Sequence, residues 1–298
     1  MSKKYAFSLV EISVVIVIIG ILISGISEGI SLYKDIRITS ARSVTNNSRI
    51  GRIPDLMVWL ETTSERSFDI NDTVDNKEIK NWFDINPQAS TKIKITSVAN
   101  SFPKYKKYCI NNIPCLSFDG VNDYLDVETF SSNISKLSFF VVVVTNNLNT
   151  DPYCCIGLIM SVSNSTDWVN GDVHYQFGRY NSSINYDLKT LGGYNSQLRN
   201  IIKLNNNYIF SIIDNNSRVD SYINGIVQGT KYEAGGSSNF IKNLNRISLA
   251  SWKISTGRSR HLSGNIGEVI IFGRDLNTSE RREVETYLSK KWSIKLDG

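Results

Sequence analysis

Histidine is almost missing: His174 and His261 are the only two in 298 residues. With four cysteines besides, two of them adjacent, the sequence offers no His/Cys cluster of the kind that holds zinc, and neither a metal nor another cofactor is expected. Charge of neither sign dominates. Lys+Arg 33 against Asp+Glu 28 leaves +5, and Lys3 and Lys4 sit in the first four residues. No run of Lys or Arg exceeds two residues, so the concentrated basic face of a nucleic-acid binder is disfavoured. Signatures of hydrolysis are wanting as well. There is no Glu-x-Asp-x-x-Glu-like strand, and the one Gly-x-Ser-x-Gly string, Gly25-Ile26-Ser27-Glu28-Gly29, falls in the N-terminal helical pattern and not on a strand-to-helix elbow. The hydrophobic content of 41% is enough for a sizeable core, which excludes global disorder.

What is present begins at the N terminus. From Phe7 to Ile23 the chain is apolar except for Ser8, Glu11, Ser13 and Gly20. At about 1.5 Å per residue this run reaches roughly 25 Å, close to the thickness of a bilayer core. A removed secretory signal, a plain membrane anchor and a prepilin leader all begin this way. Glu11 separates them, because a carboxylate in a membrane segment costs at least about 2 to 3 kcal/mol and calls for a partner. An ordinary signal peptide would not keep it, and no small-x-small cleavage site closes the run.

The stretch Lys3-Lys4-Tyr5-Ala6-Phe7-Ser8-Leu9-Val10-Glu11-Ile12 resembles the type IV prepilin signal. The resemblance implies a leader of residues 1–6, cut by a prepilin peptidase between Ala6 and Phe7, and methylation of the new Phe7 amine. It also implies a role for Glu11 in assembly with other pilin-like subunits. The Glu11 carboxylate of one subunit would neutralise the Phe7 amine of its neighbour, a pairing that fixes register more than it adds stability. Such a chain would sit in the bacterial inner membrane by a single helix, with its head exported to the periplasm, cell surface or pilus. Ala6 stands where the family usually has Gly, and Glu28 where many members have a proline. Lacking that breaker, the helix should run straight.

Ile26, Ile30, Tyr33 and Ile36 continue the helix with an amphipathic pattern, so residues 7–50 read as one pilin-like helix with its membrane part at about 7–26. Arg42, Arg49 and Arg52 read as a solvated face near lipid phosphates, and Pro54 as a boundary. Beyond it the pattern is β throughout. Leu137 to Thr145 predicts a central strand buried on both faces. Asn215-Asn216 predicts a tight turn, and Asn224-Gly225 a type I′ hairpin between Tyr222-Ile223 and Ile226-Val227. Ile247 to Trp252 and Ile266 to Phe272 add strands. Asn277 with Glu280 predicts a capping box, and Val284, Tyr287, Leu288 and Trp292 share one face of the terminal helix it opens.

The ordered set of the Phe118-Asp119-Gly120 turn, the central strand, the Asn224-Gly225 hairpin, Gly267-Glu268 and Tyr287-Leu288 through Trp292 resembles laminin-G-like, concanavalin A-type lectin/glucanase domains. The fold expected for residues 54–298 is therefore an all-β antiparallel sandwich of jelly-roll type with a C-terminal helix, able to fold without the helix before it. That fold serves enzymes and binding modules alike. Glu283 and Glu285 are two apart on a helix and cannot share a face, and Glu268 reads as a lone acid, so no catalytic residues are assigned. Asp119 and Asp123 could offer oxygens to calcium, but the plainer reading is a turn, and no metal site is assigned. A three-residue loop at Asn111 to Ile113 would set Cys109 opposite Cys115, making them a disulfide candidate in an oxidising compartment. Cys154 and Cys155 would point to opposite faces of a strand. The function expected is a non-catalytic minor pilin or pseudopilin whose head binds a glycan or surface protein. The alternatives are a membrane-tethered glucanase-like enzyme and a plain anchored adhesin.

Overall fold

The computed structural model describes residues 8–127, 132–147, 156–163, 174–180, 183–190, 193–196, 200–201, 203–232, 242–244, 246–254 and 257–297. Helix α1, Leu9–Asn46, runs unbroken for 38 residues, about 57 Å. No proline interrupts it, and Glu28 lies within it as an ordinary helical residue. Nothing covers its first part: Leu9, Ile16, Leu22, Ile26 and Leu32 are all exposed, and a Cβ added to Gly20, Gly25 or Gly29 would meet open space. A short 3₁₀ turn, Ile50–Arg52, leads into the β region.

The head is an antiparallel sandwich with a third, helical layer. Its first sheet has eight strands, in the order Ile226–Tyr232, Arg218–Ile223, Asn207–Asp214, Leu137–Thr145, Ser263–Phe272, Ile113–Asp119 and Lys104–Ile110. Leu56–Glu61 pairs with the second half of Ser263–Phe272, from Phe272 to Glu268. The second sheet has nine strands, among them His174–Tyr180, Ile156–Ser163, Arg246–Leu249, Leu125–Val127 and Asn81–Phe83. Phe139, Val141 and Val143 face the second sheet in one core, together with Trp82, Phe118, Leu249 and Ile271. Phe140, Val142 and Val144 face the other way, into a core shared with Trp59, Phe272, Leu288 and Trp292. Period-two alternation with both faces covered is why this strand reads as an unbroken apolar run. All nine of its residues are buried, as its sequence predicts.

The helical layer consists of α2, Thr278–Trp292, and the end of α1. Asn277 and Glu280 form the expected capping box, and Val284, Tyr287, Leu288 and Trp292 are buried. Gly267 sits beneath Trp292, where a Cβ would overlap the indole, so a glycine is required for α2 to lie flat on the sheet. Ala41, Thr45, Ile50 and Ile53 are buried in the same layer. The core of the head thus reaches back past Pro54 into α1, and a head cut at residue 54 would lose one wall.

Three local details depart from the sequence pattern. Asn111 and Asn112, not three residues, turn the Lys104–Ile110 and Ile113–Asp119 hairpin, both at positive φ (50° and 62°), with Ile110 opposite Ile113. A register shift between Lys106 and Ile110 accommodates that shorter turn. The stretch Ile247 to Trp252 is two strands, because Ala250 takes a positive φ of 64° and is tied by its amide to Ile159 O and by its carbonyl to Leu262 N. Ser263–Phe272 begins earlier than expected and carries a bulge between Ile266 and Glu268. The Asn224-Gly225 turn has both residues at positive φ, 48° and 81°, as a type I′ turn requires.

Candidate functional site

Ala6 and Phe7 lie outside the described residues. Immediately after them, Ser8 caps α1: its side chain accepts from Val10 N at 3.3 Å, and Glu11 Oε2 accepts the Ser8 amide at 2.8 Å. The Glu11 side chain therefore turns back toward the N terminus, satisfying one donor that a helix start leaves unpaired. Within Leu9–Arg52, an 18-residue window has mean hydropathy 2.8, and none of it is buried in the protein.

Where α1 meets the head, polar contacts fix the joint. Asp35 pairs with Lys107 at 2.9 Å and accepts from Tyr108 Oη at 2.8 Å. Arg37 donates to Ser293 Oγ at 2.7 Å, just beyond α2. Arg42 donates to Thr63 O at 2.8 Å and pairs with Glu65 at 2.7 Å. This corrects the expectation of a lipid-facing arginine there, since the head itself takes up its donors. Thr45 Oγ1 and Tyr287 Oη lie 3.1 Å apart, at the point where α1 crosses α2.

Beneath α2 is a buried charged cluster. Glu61 and Glu268 stand directly opposite each other on paired strands, on the face covered by the helices. Lys291 Nζ reaches both, at 2.7 Å and 2.9 Å, and all three side chains are fully buried. Glu268 also accepts from Trp59 Nε1, Trp292 Nε1 and Tyr287 Oη at 2.7–2.8 Å. Glu61 accepts from the Thr63 amide at 2.7 Å and the Thr63 hydroxyl at 2.6 Å. Burial alone would raise the Glu61 carboxyl, but the Lys291 ammonium and the Thr63 hydrogen bonds hold it below the usual carboxylate range. Burial, and then the Glu268 charge, push the Tyr287 hydroxyl well above its ordinary value, so it remains a donor. Glu268 is therefore not a lone acid. Glu285 is likewise buried, bonded by Ser211 Oγ at 3.0 Å and paired with Arg281, which stacks over Tyr222. Glu283 remains exposed. The sequence carried one signal of this cluster: Lys291 falls on the apolar stripe of α2, four residues after Tyr287.

Asp119 and Asp123 form a turn. Asp119 Oδ1 accepts from the amides of Val121, Asn122 and Asp123, and Asp123 Oδ2 accepts from the Asp119 amide. Burial, and then the Asp119 charge, push Asp123 up to about 6. Among the described residues no group of three or more His, Cys, Asp or Glu side chains stands together as a metal site would need. Cys109 and Cys115 are joined by a disulfide with Cα atoms 5.7 Å apart. Cys154 and Cys155 lie outside the described residues.

A polar cleft of about 540 Å³ opens beside the end of α2. It is lined by Asn111, Asn205, Asn206, Asn207, Asn224, Tyr208, Lys203 and the tail from Ser293 through Lys295 to Asp297. Backbone geometry explains part of this asparagine content. Asn111, Asn205 and Asn224 occupy left-handed turn positions, with φ of 50°, 58° and 48°, which asparagine tolerates better than most residues. The walls are held rigidly: Asn111 Nδ2 donates to Trp292 O at 2.7 Å, Asn207 Nδ2 to Asn111 Oδ1 at 2.9 Å, and the Asp297 amide to Asn224 O at 3.0 Å.

Comparison with known proteins separates the two parts of the chain. Residues 1–27 match the family described as the prokaryotic N-terminal methylation motif. That motif and the long apolar helix mark a membrane-anchored, single-pass protein. No curated protein matches the chain. Among solved structures, the receptor-binding domain of botulinum neurotoxin type G is similar at 16% identity, with 78% of this chain and 51% of that chain covered and a TM-score of 0.50. Trypanosoma rangeli sialidase in complex with sialic acid aligns at 14% identity over 80% of this chain, with a TM-score of 0.49. The chain spans about a third (33%) of that sialidase. Domain 4 of the extracellular arabinanase AbnA from Geobacillus stearothermophilus, in complex with arabinotriose, aligns at 14% identity, with 78% of this chain and 98% of that one covered and a TM-score of 0.49. Identities this low speak for the fold alone.

Lys291 gives the clearest mutational test of the buried cluster. Lys291→Met leaves two buried carboxylates facing each other and is expected to cost about 3–5 kcal/mol in denaturant unfolding at pH 7. Without the Lys291 ammonium, burial would raise the Glu61 carboxyl, so the deficit should shrink as the pH falls through that raised range. A loss below about 1 kcal/mol would remove the cluster from the account.

Proposed function

We propose that the chain is a pilin-like subunit that assembles through its N-terminal helix and presents a β-sandwich head for recognition. The observation carrying this reading is the methylation motif of residues 1–27 on an unbroken helix whose apolar stretch nothing in the protein covers. A prepilin peptidase cutting between Ala6 and Phe7 would leave a cationic amine close to Glu11. The uncovered apolar surface would then be shared between lipid and neighbouring helices. A large head is hard to repeat at every position of a helical filament, which favours a minor or tip subunit of a pilus or secretion pseudopilus.

The head is proposed to bind a glycan or a surface protein without chemical turnover. Support comes from where its acids stand. A glycosidase of the retaining kind needs two carboxyls about 5 Å apart and open to substrate. Here Glu61 and Glu268 face each other but are buried and bridged by Lys291, and Glu285 is buried against Arg281 and Ser211.

Two experiments test the two halves of the reading. Glu11→Ala, expressed beside the host's own assembly machinery, should still lose its leader but fail to enter filaments. Normal incorporation would contradict a role for Glu11 in assembly. Incubating the detergent-extracted protein with a panel of polysaccharides should give saturable binding with no released oligosaccharide. Steady product release would replace the binding module with an enzyme.

A further inference from the structure

The membrane-side end of the head has a composition of its own. The run from Ile12 to Ser27 is free of charge, and with the residues before it fills a hydrocarbon core of roughly 30 Å. The first cations after it are Lys34 and Arg37, about 9 and 14 Å beyond Glu28 along the helix. Headgroups occupy the first several ångströms outside the core, and long basic side chains extend back toward them. Tyr33, exposed at 57%, stands at the same level with the amphipathic ring typical of that layer.

No linker separates this level from the head. Asp35 is bonded to Lys107 and Tyr108, and Arg37 to Ser293, so the helix carries the Tyr108 hairpin and the end of α2 at a fixed depth. Ser293 also lines the asparagine cleft, as do Lys203 and Lys295, both exposed. Lys34, Arg37, Lys107, Lys203 and Lys295 thus gather at this end against the acids Asp35 and Asp297. Amide groups of Asn206 and Asn207 line the same cleft and can serve phosphate oxygens or headgroup hydroxyls.

We propose that this end of the head is a docking surface for anionic phospholipid of the membrane that α1 spans, with the cleft of Asn111, Asn205 to Asn207, Lys203 and Lys295 seating a headgroup. The cations supply attraction and the rigid joint supplies depth. The head is thereby held upright on the bilayer before any filament forms. This inference rests on α1 spanning a membrane, not on cleavage or assembly.

The test uses the full chain in lipid nanodiscs of phosphatidylcholine alone or with a third of the lipid replaced by phosphatidylglycerol, read by amide hydrogen exchange. In anionic discs the amides of residues 203–208 and 293–297 should exchange about fivefold more slowly or better, the effect of roughly 1 kcal/mol per basic residue at the surface. High salt should erase the difference. Lys203→Glu with Lys295→Glu should abolish it while the buried strand Leu137–Thr145 keeps its protection, and the milder Lys34→Gln with Lys295→Gln should reduce it. Equal exchange in the two kinds of disc would overturn the proposal. So would slowing produced in phosphatidylcholine discs by a neutral oligosaccharide and not by anionic lipid. Either result leaves leader cleavage and filament entry untouched, so failure here is distinguishable from failure of the pilin-like reading.

Discussion

A sheet that is apolar on both faces must be covered twice, and the architecture follows from that requirement. Leu137–Thr145 and its neighbours send Phe139, Val141 and Val143 one way and Phe140, Val142 and Val144 the other. The second sheet closes one side. On the other, α2 alone is not enough, and Ala41, Thr45, Ile50 and Ile53 complete the cover. The segment that spans the membrane therefore continues into a structural wall of the head. Anchor and head are one stiff piece, joined through packing and through the Asp35, Arg37 and Arg42 contacts rather than through a tether.

Within that helical layer, a handful of polar groups decide how α2 lies. Apolar contact would tolerate small slides of a helix over a flat sheet. Lys291 between Glu61 and Glu268, with the donors Trp59, Tyr287 and Trp292, is satisfied in only one placement. Two carboxylates and an ammonium gain little net energy by burial, but any other register leaves a charge unpaired. Gly267 beneath the Trp292 ring fixes the same placement sterically.

Much of this was legible beforehand, for identifiable reasons. A double-sided core writes itself as a continuous β-branched and aromatic run, which gave Leu137 to Thr145 its ends. Capping chemistry is local, so Asn277 with Glu280 could be read as a helix start and Asn224-Gly225 as a turn, whereas the same chemistry in Ser8 with Glu11 is hidden behind the assembly role that Glu11 suggests. The packing partners were not legible. Glu268 looked solitary because its partner Glu61 lies about two hundred positions away in sequence, and strand pairing is invisible in a linear pattern. Arg42 looked solvated because its acceptors, Thr63 O and Glu65, lie beyond the Pro54 boundary. The cleft beside Ser293 could not be foreseen either, since its asparagines come from three separate turns.

The account turns on the N terminus, because leader cleavage and methylation are what separate a pilin-like subunit from a plain anchored protein with the same uncovered helix. Intact mass of the protein extracted from membranes of its host measures this in one spectrum. A chain beginning at Phe7 and carrying one added methyl group, with two hydrogens lost to the Cys109–Cys115 bond, is the expected result. A mass that retains Met1, or one that reports a cut after Ser24 or beyond, would contradict it.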